Sequence, residues 1–333
     1  MSKKQGIPTI KDVAKEAGVA QGTVSKVING LPVGKEYKEK VENAIQKLNY
    51  QVNHYAKGLR ANKSYTIVFI IPNTITPFFA SLTHYINKFL VERGYQMILC
   101  ATEYNALQEQ AYICMAEQNR IDGIIGLTYD PCLPIPENIP FVTIDRYFNA
   151  TIPCISSDNF GGGQLAAEKL VSLGCKHLAF LRIGSPLYNE PNKRKDGFET
   201  YCIQHQISYE LKLLNDGDSE ELFFDFLSEH MHDGKLDFDG IFCVTDCIAY
   251  HTIQMLTRLQ LRVPEDVQVI GFDGTRMFDS SNYVCSTIVQ PIEALAKTCV
   301  DTVLATDRSS LPSQICLPVT YAYGGTTLEE EPS

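Results

Sequence analysis

The chain has 333 residues, 44% hydrophobic and 20% charged, a composition of ordinary folded domains on a chain too long for one core. No apolar run reaches the roughly 18 residues that span a bilayer, and the N-terminal MSKKQGIPTIKD lacks the apolar stretch of a secretion signal, which predicts a cytoplasmic protein without a membrane partner. The net charge of −10 is uneven, with twelve Lys/Arg against five Asp/Glu in residues 1–63 and seventeen against thirty-four in residues 64–333. That asymmetry implies a small basic module for an anionic partner, carried on a larger acidic one. The eleven cysteines form no Cys-x-x-Cys pair, and the closest two are Cys243 and Cys247. They read as buried reduced thiols, with no metal site and no cofactor implied.

In chain order, Thr9 and Asp12 read as an N-cap and first-turn carboxylate for a helix running through Ala17, with Val13 and Ala14 inward. Gly18 permits the turn that follows, and Val19 anchors it. A second helix starts near Ala20 or Gln21 and runs to Asn29. Its apolar positions Val24, Val27 and Ile28 leave Gln21, Gly22, Thr23, Ser25, Lys26 and Asn29 on the exposed side. After Leu31–Gly34, the positions Tyr37, Val41, Ile45 and Leu48 form the stripe of a third helix. The pattern is that of a small all-α helix-turn-helix headpiece over residues 1–50. By spacing alone, a helical bundle used for protein contacts stays open as an alternative.

Thr9-Ile10-Lys11-Asp12-Val13-Ala14, Ala17-Gly18-Val19, Thr23-Val24-Ser25 and Val27-Ile28-Asn29 resemble, motif by motif, the N-terminus of the lactose-repressor (LacI/GalR) family of bacterial transcriptional regulators. The resemblance extends over nearly the whole chain. It implies that the second helix enters the major groove of double-stranded DNA. Gln21 and Lys26 are then the base readers, with Thr9, Gly22, Thr23, Ser25 and Asn29 also at the DNA and the hydroxyls and Asn29 nearer phosphates. Two departures stand out. Ala20 replaces a capping Ser, and Gly22 replaces a base-contacting side chain, which shifts readout toward DNA shape.

Residues 51–63 follow as a linker beginning QVNHYAKGLR. Asn53 can cap a short helix continued by Ala56, Lys57 and Leu59, but Gly58 weakens it by about 1 kcal/mol relative to Ala, and a helix this short is marginal alone. The residues by themselves suggest a flexible tether. The family resemblance implies instead a hinge helix that forms on operator DNA, with Asn53 and Lys57 at the DNA and Leu59 as a wedge in the minor groove. Val52 stands where relatives carry Pro.

From residue 64 to 330, short apolar runs alternate with helical patterns. Strands are predicted at 66–72, 95–101, 122–128, 141–145, 177–183, 240–244 and 267–273. Helices are predicted at 77–93, 105–119, 162–173, 192–206, 219–231, 246–260 and 291–306. This is an α/β core of doubly wound parallel sheets, better divided between two than kept in one. It resembles the family's two-lobed, periplasmic-binding-protein-like core. By that resemblance one lobe takes about 64–158 and 291–319, the other about 161–290 and 322–330, with crossings near Asp158–Gly161, Gln290–Pro291 and residues 319–324.

Ligands of such sheets sit beyond the C-terminal strand ends. Those ends supply Asn73, Thr76, Phe78 and Phe79, then Thr128, then Asp145 and Arg146, then Thr245 and Asp246, and finally Asp273. Arg194, in Arg-x-x-Gly-Phe at a helix start, matches the family's effector-gripping arginine. Ser219 stands where many relatives place an aromatic over the ligand. Carboxylates and an arginine suit hydroxyl pairs, and Phe rings suit a ring face.

An enzyme is the first rival reading, but no Gly-x-Ser-x-Gly, Gly-x-x-x-x-Gly-Lys-Ser/Thr or Gly-x-Gly-x-x-Gly after a strand is present. A transport-type sugar receptor is the second, and the DNA-binding headpiece counts against it. The reading is a non-enzymatic homodimeric repressor on a pseudo-palindromic operator. Its small-molecule effector is a sugar or sugar derivative, with a purine or another metabolite as the alternative.

Overall fold

A computed structural model describes residues 8–28, 30–50, 63–128, 133–185, 188–276 and 282–329. The chain divides into two units, Met1–Ser64 and Tyr65–Ser333. The expected hinge, with Asn53, Lys57 and Leu59, and Asn29 of the headpiece lie outside the described residues.

In the first unit α1 spans Ile10–Ala17, α2 Gln21–Ile28 and α3 Lys35–Leu48. The Asp12 carboxylate accepts from the Thr9 backbone N–H at 2.8 Å and from its hydroxyl at 2.7 Å, tying down the first turn of α1. These bonds hold the Asp12 carboxyl below the usual carboxylate range. Gly18 ends α1 at φ 65°, a left-handed conformation natural to glycine, and the Val19 N–H returns to the Ala14 carbonyl at 3.0 Å. Val13, Ala14, Ala17, Val24, Val41 and Ala44 form the core. The expected α3 stripe needs one correction. Tyr37 is 52% exposed, because the small core ends one turn later, at Val41 and Ala44.

The second unit holds two six-stranded sheets. In the first, β1 (Thr66–Ile71), β2 (Gln96–Ala101), β3 (Gly123–Gly126), β4 (Phe141–Ile144), β5 (Cys154–Ser157) and a late strand, β13 (Gln314–Leu317), stand in the order β13-β5-β4-β3-β1-β2, all parallel. In the second, β6 (His177–Ile183), β7 (Ser208–Leu214), β10 (Gly240–Cys243), β11 (Gln268–Asp273), β12 (Ser286–Val289) and β14 (Thr320–Ala322) stand in the order β14-β12-β11-β10-β6-β7. Only β14 runs antiparallel there, against β12. A two-stranded ribbon of β8 (Met231–His232) and β9 (Lys235–Leu236) stands apart from both. Helices α4 (Pro77–Glu92), α5 (Ala106–Gln118) and α10 (Ile292–Val303) cover the first sheet; α6 (Asn159–Ser172), α7 (Lys193–His205), α8 (Glu221–Glu229) and α9 (Asp246–Arg258) belong to the second. Central strands such as β1 and β11 are buried at every position, which is why they read as unbroken apolar runs.

Seven strands were not expected from the sequence, the short ribbon β8–β9 and five strands of the two sheets. β5 and β12 are buried but carry Ser and Thr, while β7, β13 and β14 alternate polar and apolar residues as edge strands do. The chain passes between the sheets three times, at Asp158, at Gln290–Pro291 and at Pro318–Val319. The last lies before the expected 319–324 because β14 is already paired with β12 from Thr320.

Two glycines let α6 and α7 touch backbone to backbone. A Cβ at Gly163 would lie 2.0 Å from the Arg194 carbonyl oxygen, and one at Gly197 would lie 2.0 Å from that of Phe160. This contact sets the first turn of α7, and Arg194 with it. Gly197→Ala should therefore separate the helices and destabilise the core by about 3 kcal/mol, the upper end for overpacking, as read by urea unfolding. A loss below about 0.5 kcal/mol, the range of surface substitutions, would mean the helices are not held this close.

Candidate functional site

The C-terminal strand ends of both sheets face a cleft that encloses a cavity of about 300 Å³. The first lobe contributes Thr76, Phe78, Phe79, Thr128, Asp145 and Arg146; the second contributes Arg194, Thr245 and Asp273. Arg194 is the hub. Its Nε donates to Asn159 Oδ1 at 2.8 Å and its Nη1 to the Val244 carbonyl at 2.7 Å, with Asp273 Oδ1 3.7 Å from Nη1. Its guanidinium carbon lies 3.7 Å from the Phe272 ring centroid. Only 3% of the residue is exposed, so its donors act in a desolvated medium.

Asp145 and Asp273 end β4 and β11 with φ of 57° and 131°, conformations that favour glycine. Such strain, worth roughly 1–3 kcal/mol per residue, persists only where the surroundings hold it. Burial raises the Asp145 carboxyl to about 6, against the opposing pull of Arg194. Burial raises the Asp273 carboxyl to about 7; Arg194 opposes the shift and the Asp246 carboxylate adds to it. Burial thus favours the neutral Asp273 carboxyl, the form that can donate as well as accept. Arg146 reaches the carbonyls of Thr128 at 3.5 Å and Tyr188 at 3.4 Å. Thr128 is 3% exposed, and its hydroxyl meets no partner among the described residues.

Three expected residues do not line the cavity. Asn73 Oδ1 accepts from the Ile75 and Thr76 N–H groups and the Thr76 hydroxyl, each at 3.0 Å, so it shapes the entry to α4. Asp246 accepts from the Thr275 N–H and the Thr287 hydroxyl, both at 2.6 Å, fastening α9 to the loop after β11. Ser219 is exposed, its hydroxyl accepting from the Glu221 N–H at 3.3 Å, while its neighbour Glu220 lines the cavity and bonds His251. The turn before α8 decides between the two.

Sequence reasoning also missed Tyr104, Arg182, Asn189, Asn192, Asp216, Cys247 and Gln290 on the cavity wall. Arg182 carried a readable signal, an arginine ending the apolar strand His177–Ile183. Gln290 lay in the Gln290–Pro291 crossing, which was expected as a connection only.

In the first unit Gln21, Gly22 and Lys26 are exposed on α2, Thr23 and Ser25 are half-buried, and Thr9 is exposed at the start of α1. Val24 faces the other way, fully buried. A Cβ at Gly22 would meet nothing within 4 Å, leaving bare backbone on this face.

Among the described residues no cluster of His, Cys, Asp and Glu could hold a metal, and no helix is long and apolar enough to cross a membrane. The ten described cysteines are free.

Residues 9–53 match the pattern of bacterial regulatory proteins of the lacI family, and residues 167–327 that of a periplasmic binding protein-like domain. The sucrose operon repressor of Pediococcus pentosaceus is 32% identical over 331 residues, 96% of this chain and 99% of that protein. The chain belongs to the LacI family. It is a DNA-binding regulator rather than an enzyme. This LacI-family protein is also 33% identical to the ribose operon repressor of Lactococcus lactis, over 94% of this chain and 96% of that one. It is 32% identical to the repressor PurR of Haemophilus influenzae, over 80% and 81%. Among solved structures, the lac repressor dimer bound to operator and the anti-inducer ONPF matches with a TM-score of 0.81 at 25% identity, over 97% of this chain and 99% of that one.

The raised carboxyls of this LacI-family core give its stability a pH dependence. The folded core holds these protons above the ordinary value of 3.8, so their contribution is complete below about 4 and is lost as pH rises through about 6 and 7. Thermal melts from pH 5 to 8 should show a shallower decline for Asp273→Asn than for the wild type. Parallel curves would place the Asp273 carboxyl in its ordinary range.

Proposed function

We propose that the protein is a homodimeric cytosolic repressor, bound to a pseudo-palindromic operator through α2 and controlled by a sugar or sugar derivative held between the lobes. One observation carries the effector reading. The Arg194–Asp273 pair and the Thr128 hydroxyl, which meets no partner among the described residues, converge, buried, on a cavity with Phe78 and Phe79 in its wall. Vicinal hydroxyls donate and accept in pairs, which suits a guanidinium beside a carboxyl that titrates near neutrality. Asp145, Arg146 and Thr245 supply further polar groups. The relatives named for sucrose and ribose operons support the class, as does a solved regulator from Alkaliphilus metalliredigens complexed with D-xylulofuranose. That structure has a TM-score of 0.68 and 26% identity and covers 80% of this chain and 100% of its own.

For DNA, the exposed Gln21 and Lys26 read base edges, while Thr9, Thr23, Ser25 and Asn29 take phosphates and the bare Gly22 leaves room for shape readout. Residues 51–63 act as the hinge, with Asn53 and Lys57 at the backbone and Leu59 wedged in the minor groove. Two-fold symmetry supplies the second half-site.

Thermal shift of the full chain with sucrose, D-ribose and hypoxanthine tests the effector. A specific ligand at 100 times its Kd adds about 2.7 kcal/mol, and Arg194→Ala should lose that shift. Stabilisation by hypoxanthine alone would replace the sugar with a purine, and an undiminished shift in Arg194→Ala would move the site. On an operator selected from random DNA, Gln21→Ala and Lys26→Ala should lose about 1–3 kcal/mol of discrimination while keeping salt-sensitive non-specific binding. Equal loss of both would make these side chains phosphate contacts.

A further inference from the structure

Five buried residues close a ring through two of the three lobe crossings. Ser157, the last residue of β5, donates its hydroxyl to Gln290 Oε1 at 2.8 Å. Gln290, in the second crossing, donates its amide to Asp273 Oδ1 at 2.7 Å. Asp273 pairs with Arg194 Nη1 at 3.7 Å, and Arg194 Nε donates to Asn159 Oδ1 at 2.8 Å. Asn159, just past the first crossing, returns its amide to the Ser157 carbonyl at 3.0 Å and lies 3.5 Å from Asp145 Oδ1. No member is more than 7% exposed.

Two of the links, Ser157 to Gln290 and Asn159 to Ser157, tie the first lobe to parts that move relative to it if the lobes rotate. Ser157 belongs to the first lobe, Asn159, Arg194 and Asp273 to the second, and Gln290 to a connection. The Gln290 amide is oriented by its two partners, because the Ser157 hydroxyl supplies a donor on one side and Asp273 an acceptor on the other. A buried polar network of this kind is worth most when every member is satisfied, so it favours a small number of discrete arrangements over gradual loosening. Arg194, Asp273 and Gln290 face the cavity, whereas Ser157 and Asn159 do not. The longest link, Arg194 to Asp273, is therefore the one that a hydroxyl arriving in the cavity can enter.

We propose that this ring is the joint of the core, in which Ser157 and Gln290 are positioning residues that lock the first two crossings into one unit. A ligand that competes for Arg194 or Asp273 then acts on both crossings together, and the lobes turn as a two-state element. That consequence rests on the cavity being the effector site; the joint itself does not.

The test needs no effector. Hydrogen exchange of the full-length, ligand-free protein would be followed in peptides covering 155–163 and 286–294. Ser157→Ala, which removes one hydroxyl outside the cavity, should speed exchange around Gln290 and Ile292 by about tenfold, the scale of one lost buried hydrogen bond. Amides of β1 and β11 should keep wild-type rates. Gln290→Leu should act equally on the 155–163 segment, and the double variant should add little to either single one, as for members of one network. An effect of Ser157→Ala confined to its own segment, or additive single effects, would overturn the joint. Ser157→Cys offers the same readout if Ser157→Ala leaves the core unfolded. Since no sugar is present, failure here leaves the effector reading standing, and failure of the sugar panel leaves the joint standing.

Discussion

Arg194 is a guanidinium buried where water cannot solvate it, and the rest of the core is arranged around that fact. An unpaired buried charge is among the most unfavourable groups a protein can carry, so its neighbours must answer it. Asn159, the Val244 carbonyl, and Phe272 with Asp273 at the end of β11 do so, from three separate segments of the chain. To bring them together, α6 and α7 must touch at Gly163 and Gly197, and β11 must end in a strained conformation at Asp273.

The same desolvation explains the unusual chemistry of the cavity. Burial raises carboxyls that would be ionised at the surface, and the buried Thr128 hydroxyl meets no partner among the described residues. Polar groups left in this condition are poised for a ligand that completes their hydrogen bonds. A polyhydroxylated molecule does this on several sides at once. A cleft between two lobes has a further property, in that its groups are completed only in particular lobe orientations. A ligand held there would link binding to shape through its differential affinity for those orientations.

The headpiece depends on a simpler constraint. A core of six small and medium apolar residues suffices for three short helices because Gly18 and the Thr9–Asp12 bonds fix the first turn and its exit. The economy leaves Gln21, Gly22 and Lys26 of α2 exposed, and it also leaves Tyr37 in solvent.

Local pattern carried much of this in the sequence. The charge asymmetry, the three helices and seven of the strands were legible, because apolar periodicity records which face of an element is covered. Strand ends were legible too, and they pointed to Asp145 and Asp273, which line the cavity, as does Arg194, which the family resemblance indicated at a helix start. The short strands β5 and β12 were not, since Ser and Thr buried in a sheet look like loop residues until their neighbours are known. Nor could spacing separate Asn73 and Asp246, whose oxygens are used by nearby N–H and hydroxyl groups, from Thr128, whose hydroxyl is left over. The sequence by itself determined the elements, the family and the residue types available at the cleft. Only the tertiary structure decided which of those side chains are spent on the fold, because that depends on partners up to 133 residues apart, as Ser157 and Gln290 are.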